Sequence, residues 1–163
     1  MISVGVRQQY PIVYVDEAGL DNREDYCYCW NSRGQRFHAL KSGRRQGRVN
    51  MIAALCQEQM ITPFTVEGAC NRAVFEIWLE TCLIPVLKPG QVVVMDNATF
   101  HKGGRIELLI QEAGCELLYL PAYSPDFNKI ERCWSWLKSR YATQIDPFDC
   151  LRDAMKYVLH LAS

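Results

Sequence analysis

QVVVMDNATFH, residues 91–101, decides the fold. Val92, Val93, Val94 and Met95 run without a polar break, the pattern of a short strand covered on both faces. Asp96 ends the run. Before it, Val74, Phe75, Trp78, Leu79, Cys82, Leu83, Val86 and Leu87 recur at one-face helical spacing. The stripe predicts a helix over about 71–87, with Asn71 as its N-cap and "KPG" at 88–90 as its stop. After it comes a helix near 104–113 closed by Gly114, then an apolar run, "ELLYL", at 116–120. Helix, strand, helix, strand in this order predicts parallel strands joined by right-handed crossovers.

Upstream the pattern differs. "PIVYVD" at 11–16, "YCYCWN" at 26–31 and "VNMIAAL" at 49–55 read as strands joined by turns, which favours antiparallel pairing, and a short "FTV" at 64–66 is an optional addition. Two helices, near 129–141 and 147–161, finish the chain, the second opening with Asp146-Pro147. The expected architecture is α/β, a mixed five-stranded sheet with helices on both faces. At 163 residues and 49% hydrophobic, the chain most simply makes one domain spanning 1–163.

Composition excludes several classes. Eighteen basic and 18 acidic residues cancel, so any attraction for a polyanion must come from local patches. Eight cysteines include no CxxC pair and fit no zinc template, which points to reduced thiols in an intracellular core. No apolar run approaches 18 residues, the length a membrane helix needs.

Three carboxylates fall where the topology gathers chemistry. Asp16 and Asp96 end strand-like runs, and ligands in such sheets collect at the carboxyl ends of strands. Glu131 lies at the start of a helix, with 34 residues (positions 97–130) between it and Asp96, enough for one helix, one strand and a turn. On the strand at 11–16, Tyr14 and Asp16 share one face while Val15 and Glu17 take the other. Glu17 is therefore set apart from the three. Each acid also has a plainer reading. Asp96-Asn97 could be turn residues after a buried strand, and Asn128 with Glu131 forms a capping-box pattern. The combination outweighs the parts.

The segments "VYVDEAG" (13–19), "GRRQGRVNMIAAL" (43–55), "VVVMDNATFHK" (92–102) and "LPAYSPDFNKIERCWSWLK" (120–138) resemble the catalytic domain of DDE transposases, in the bacterial insertion-sequence branch related to mariner elements. The resemblance covers nearly the whole chain. It implies a ribonuclease-H-like fold, an endonuclease and strand transferase acting on transposon-end and target DNA, and two Mg²⁺ or Mn²⁺ ions. It assigns Asp16, Asp96 and Glu131 as catalytic residues and metal ligands, Asp16 bridging both ions. Three acids suit this chemistry, because hard cations prefer oxygen ligands and two ions can serve both the attacking and the leaving oxygen. Asn97, His101 and Asn128 are candidates for supporting positions. Lys129 stands where the family commonly has proline, which leaves the three acids intact.

For DNA contact, Lys41, Arg44, Arg45 and Arg48 place four cations in eight residues, and Lys102 with Arg105 forms a smaller patch near Asp96. Trp134 shares a stripe with Ile130, Leu137 and Tyr141 and is expected in the core; Trp136 projects elsewhere. About ten residues precede the first strand, too few for the helix-turn-helix reader that such transposases usually carry. The expectation is a homodimer in the nucleoid-associated cytoplasm, with the DNA-reading region encoded separately. The alternatives are a truncated remnant that inhibits full-length transposase and another ribonuclease-H-like nuclease.

Overall fold

The computed structural model describes residues 10–21 and 48–144. The expected strand at 26–31, the cations Lys41, Arg44 and Arg45, and the helix at 147–161 lie outside the described residues, as does the side chain of Arg48.

Five strands form one mixed sheet: β1 (Val13–Asp21), β2 (Arg48–Cys56), β3 (Gln59–Glu67), β4 (Val92–Met95) and β5 (Glu116–Tyr119). Their order is β3-β2-β1-β4-β5. β1 pairs antiparallel with β2, and β2 with β3, while β4 runs parallel to both β1 and β5. The change from hairpin pairing to crossover pairing falls between β1 and β4, as the two halves of the sequence predict.

β3 is much longer than the three residues expected. Gln57 and Glu58 both take positive φ, giving a two-residue turn whose twist suits a hairpin. Pro63 reads as a strand breaker, but β3 is the sheet edge, where a missing N–H leaves no ladder bond unmade. The register against β2 shifts between Ile52 and Ala54, and Thr62 takes φ +51° at the irregularity.

The long helix begins as expected. The Asn71 side chain accepts a hydrogen bond from Val74 N–H at 3.0 Å and caps α1 (Arg72–Trp78). It then widens into a π turn over Leu79–Leu83 and tightens to 3₁₀ over Ile84–Val86. Pro85 accounts for the change, since it brings no N–H for the carbonyl four residues back. α2 (Ile106–Glu112) ends at Gly114, whose φ of +74° is the left-handed turn glycine accepts most easily. α3 is Ile130–Gln144.

The period-two alternation of β1 and β2 divides the core. Val13, Val15, Ile52, Ala54, Val93 and Met95 face α1 and α2, where Phe75, Trp78, Ile106 and Ile110 are fully buried. Ala18, Val49, Met51, Ala53 and Leu55 face α3, against Ile130, Trp134 and Leu137. Helices thus cover both faces, and a strand inserted between the two layers carries alternate residues to each.

Candidate active site

β1 does not end at Asp16. It continues to Asp21 in register with β2, so Asp16 sits mid-strand, opposite Ala53. The parallel pairing with β4 is nevertheless short, Val13 with Val93 and Tyr14 with Val94. Carried two residues further, that register sets Asp16 level with Asp96, just past the last residue of β4. The corrected position has the same consequence: both aspartates lie where the parallel part of the sheet opens.

Asp16, Asp96 and Glu131 line one open cleft of about 440 Å³, together with Asn97 and the 120–125 loop. Asp16 is buried on the α3 side, where the indole Nε1–H of Trp134 donates to its Oδ2 at 3.1 Å. Burial, then the charges of Glu17, Glu131 and Asp96, push its carboxyl up to about 7. Glu131 is exposed on the first turn of α3. The reciprocal half of a capping box is not made there: Asn128 N–H donates to Pro125 O at 2.9 Å. Asn128 does hold the helix entry. Its amide oxygen accepts from Ile130 N–H and its Nδ2 donates to Val15 O, each at 3.4 Å. The Lys129 ammonium lies 5.9 Å from the Tyr14 ring centre, a cation–π contact that also ties this turn to β1.

Asp96 is held from its other side. Oδ1 accepts from Ala98 N–H at 3.2 Å and lies 2.6 Å from His101 Nδ1. The His101 contact holds its carboxyl below the usual range, against the opposing effect of partial burial. His101 is completely buried, and its Nε2 lies 2.6 Å from Glu17 Oε1. Its own proton affinity rises to about 9: desolvation opposes the rise, and the two carboxylates outweigh it.

Two participants escaped the sequence reading. Glu17 faces away from Asp16, as the alternation predicts, yet an acid on a strand face that is otherwise core needs a buried partner, and that is its signal. Trp134 is core as expected, but its indole N–H also serves Asp16. The signal there was its spacing of three from Glu131, which puts both on one helix face. The Arg105 guanidinium donates to Glu80 at 3.1 Å, with both side chains exposed. Lys102 is exposed. Trp136 is partly exposed beneath the guanidinium of Arg140.

The donor set suits a hard divalent cation. It is all oxygen and it concentrates negative charge. Among the described residues no three acidic, histidine or cysteine side chains make a ready-made metal cage. Mg²⁺ does not require one, since it usually keeps waters and substrate oxygens beside one or two carboxylates.

A mixed sheet of this order brings acids from two adjacent strands and a covering helix into one cleft, the arrangement expected of a DDE endonuclease domain. The family model described as DDE superfamily endonuclease matches residues 11–153, and the chain belongs to that family. The catalytic core domain of BIV integrase superposes with a TM-score of 0.56 at 15% identity, covering 91% of this chain and 80% of that one. A chain of the simian T-cell lymphotropic virus intasome in complex with PP2A regulatory subunit B56 gamma gives 0.61 at 10% identity. That match covers 91% of this chain and 46% of the other. At such identities the likeness establishes the ribonuclease-H-like fold. No curated protein sequence matches the chain.

Proposed function

We propose that this chain is the catalytic domain of a transposase that cuts and joins DNA strands at transposon ends. The observation that carries the reading is the meeting of Asp16, Asp96 and Glu131 on the wall of one cleft. These three would hold two Mg²⁺ or Mn²⁺ ions, Asp16 being the most buried of the acids. When bound, such ions activate the attacking oxygen and stabilise the leaving one.

The chain's own residues do the rest. Trp134 fixes one oxygen of Asp16, and the Ala98 N–H fixes one of Asp96, which sets how each carboxylate is presented. Asn128 holds the start of α3 against β1 and so limits where Glu131 can reach. In the first reaction water attacks phosphorus and the P–O3′ bond breaks, freeing a 3′-hydroxyl. In the second that hydroxyl attacks a target phosphorus and the target's P–O3′ bond breaks, releasing a target 3′-hydroxyl, so only the nucleophile changes.

Lys102, near the cleft, and the cations Lys41, Arg44, Arg45 and Arg48 would contact phosphates. Tyr123 stands fully exposed on the rim with φ +60°, offering an aromatic face to an unstacked base. A homodimer, a separately encoded helix-turn-helix region and residence at the nucleoid belong to the same proposal.

The test is nicking of supercoiled plasmid, and joining of an oligonucleotide carrying a 3′-hydroxyl, by the chain in Mn²⁺. The reading expects both reactions to vanish in Asp96→Asn and in EDTA. Cleavage that persists in the variant, or without metal, would overturn it.

A further inference from the structure

Glu17 lies on the face of β1 opposite Asp16, yet it reaches the same cleft through His101. We infer that Glu17 and His101 form a positioning device that fixes the Asp96 carboxylate by anchoring one of its oxygens. The inference rests on Asp96 being a metal ligand.

The geometry is specific. The imidazole lies between two carboxylates: Nε2 is in hydrogen-bond contact with Glu17 Oε1 at 2.6 Å, and Nδ1 is 2.6 Å from Asp96 Oδ1, an ion-pair contact without an aligned N–H. A histidine that merely filled the core would need one neutral acceptor. Here a buried ring and two carboxylates gather charge, which is costly unless the arrangement is held in place.

It is held on every side. The ring packs against Phe75 at 4.6 Å between centres. The His101 carbonyl accepts from the Tyr119 hydroxyl at 2.6 Å, and its N–H donates to Ala98 O at 3.1 Å. The Arg72 guanidinium donates to Thr99 O and Lys102 O, at 3.2 and 2.9 Å, bracketing the turn from α1. Asp96 itself lies past the end of β4 and has no ladder to fix it. What orders its carboxylate is Ala98 N–H and this imidazole, and Glu17 orders the imidazole. Two adjacent residues of one strand thus serve the cleft from opposite faces, Asp16 directly and Glu17 through an intermediary. Partners that orient a ligand in this way typically govern 10–100-fold in metal affinity.

Mn²⁺ affinity of the full chain, read by the EPR signal of free Mn²⁺, tests this with Glu17→Gln, His101→Asn, their double variant and Asp96→Ala. Asp96→Ala is expected to abolish cleft binding. Each single variant should weaken it by about 10–100-fold, and the double variant should be no weaker than the poorer single, because both act through one connection. In the metal-free chain, ¹⁵N-resolved spectra should show two protected ring N–H protons for His101. Glu17→Gln should expose the Nε2 proton and Asp96→Ala the Nδ1 proton.

Wild-type affinity in Glu17→Gln, with binding still lost in Asp96→Ala, would overturn the positioning role and leave the metal reading standing. Equal binding by wild type and Asp96→Ala would overturn both. Additive losses in the double variant, or no protected ring protons, would reduce His101 and Glu17 to packing. Glu17 is not fully buried, so Glu17→Gln carries the test if His101→Asn fails to fold.

Discussion

Trp134 Nε1 donates a hydrogen bond to Asp16 Oδ2 at 3.1 Å, joining the core of α3 to the most buried carboxylate of the cleft. The indole closes one oxygen of Asp16 and places bulk against the small side chain of Ala53, which faces Asp16 across the β1–β2 ladder. Trp134→Phe keeps most of the volume and removes the donor. Leaving a buried carboxylate oxygen without its partner should cost about 1–3 kcal/mol, measurable by urea denaturation. Unchanged stability would mean that water replaces the indole there.

Asp16 and His101 together set a pH dependence. A carboxyl raised to about 7 disfavours the folded state once ionised, so its contribution falls as pH climbs from about 4 towards 7. A histidine raised to about 9 stabilises fully below about 6.5 and loses that stabilisation as pH rises through 9. Both slopes have the same sign. The metal-free chain should melt at a higher temperature at pH 5.5 than at pH 8.5. Asp16→Asn should flatten the lower part of the profile, and His101→Asn the upper part. A melting temperature that rises with pH across this interval would contradict both assignments.

Divalent metal should oppose that decline. If cations sit among Asp16, Asp96 and Glu131, they relieve the repulsion that raises Asp16, and binding to the folded state adds stability by mass action. Calorimetric melting at pH 7.5 should show a higher transition in Mn²⁺ than in EDTA. Asp16→Asn or Asp96→Asn should abolish the difference, and Glu131→Gln should reduce it.

Lys102 and Arg105 should part company in DNA binding. Arg105 is already engaged with Glu80, whereas Lys102 is exposed near Asp96. Lys102→Ala should weaken binding to mixed-sequence duplex and lower the salt slope by about 1, as one lost phosphate contact does. Arg105→Ala should leave the slope nearly unchanged. Anisotropy titrations over a range of salt separate the two.

Asn128→Ala tests the helix entry. Its amide accepts from Ile130 N–H and donates to Val15 O, so its loss should cost about 1 kcal/mol as a cap and loosen Glu131 relative to Asp16. Cleavage should then fall more than stability would explain. Equal losses would confine Asn128 to the fold.

Periodicity determined much of this protein on its own. The apolar run at 92–95, the one-face stripe from Val74, the stop at Gly114 and the alternation along 13–17 each depend on neighbours close in sequence. They put the strands, the helices and the sidedness of Asp16 and Glu17 on the page before any coordinate. Edge effects were not legible. Pro63 looks like a breaker until β3 is known to lie at the rim of the sheet, and Asp16 looks terminal until β2 is seen to carry β1 on to Asp21. The partners of the acids belong to the tertiary structure alone. His101 stands 84 residues from Glu17, and Trp134 stands 118 from Asp16, separations at which no local pattern acts. The sequence could name the carboxylates, because their motifs are local. Only packing could bring an indole and an imidazole to them, because burying a charge requires partners that the folded chain delivers from afar.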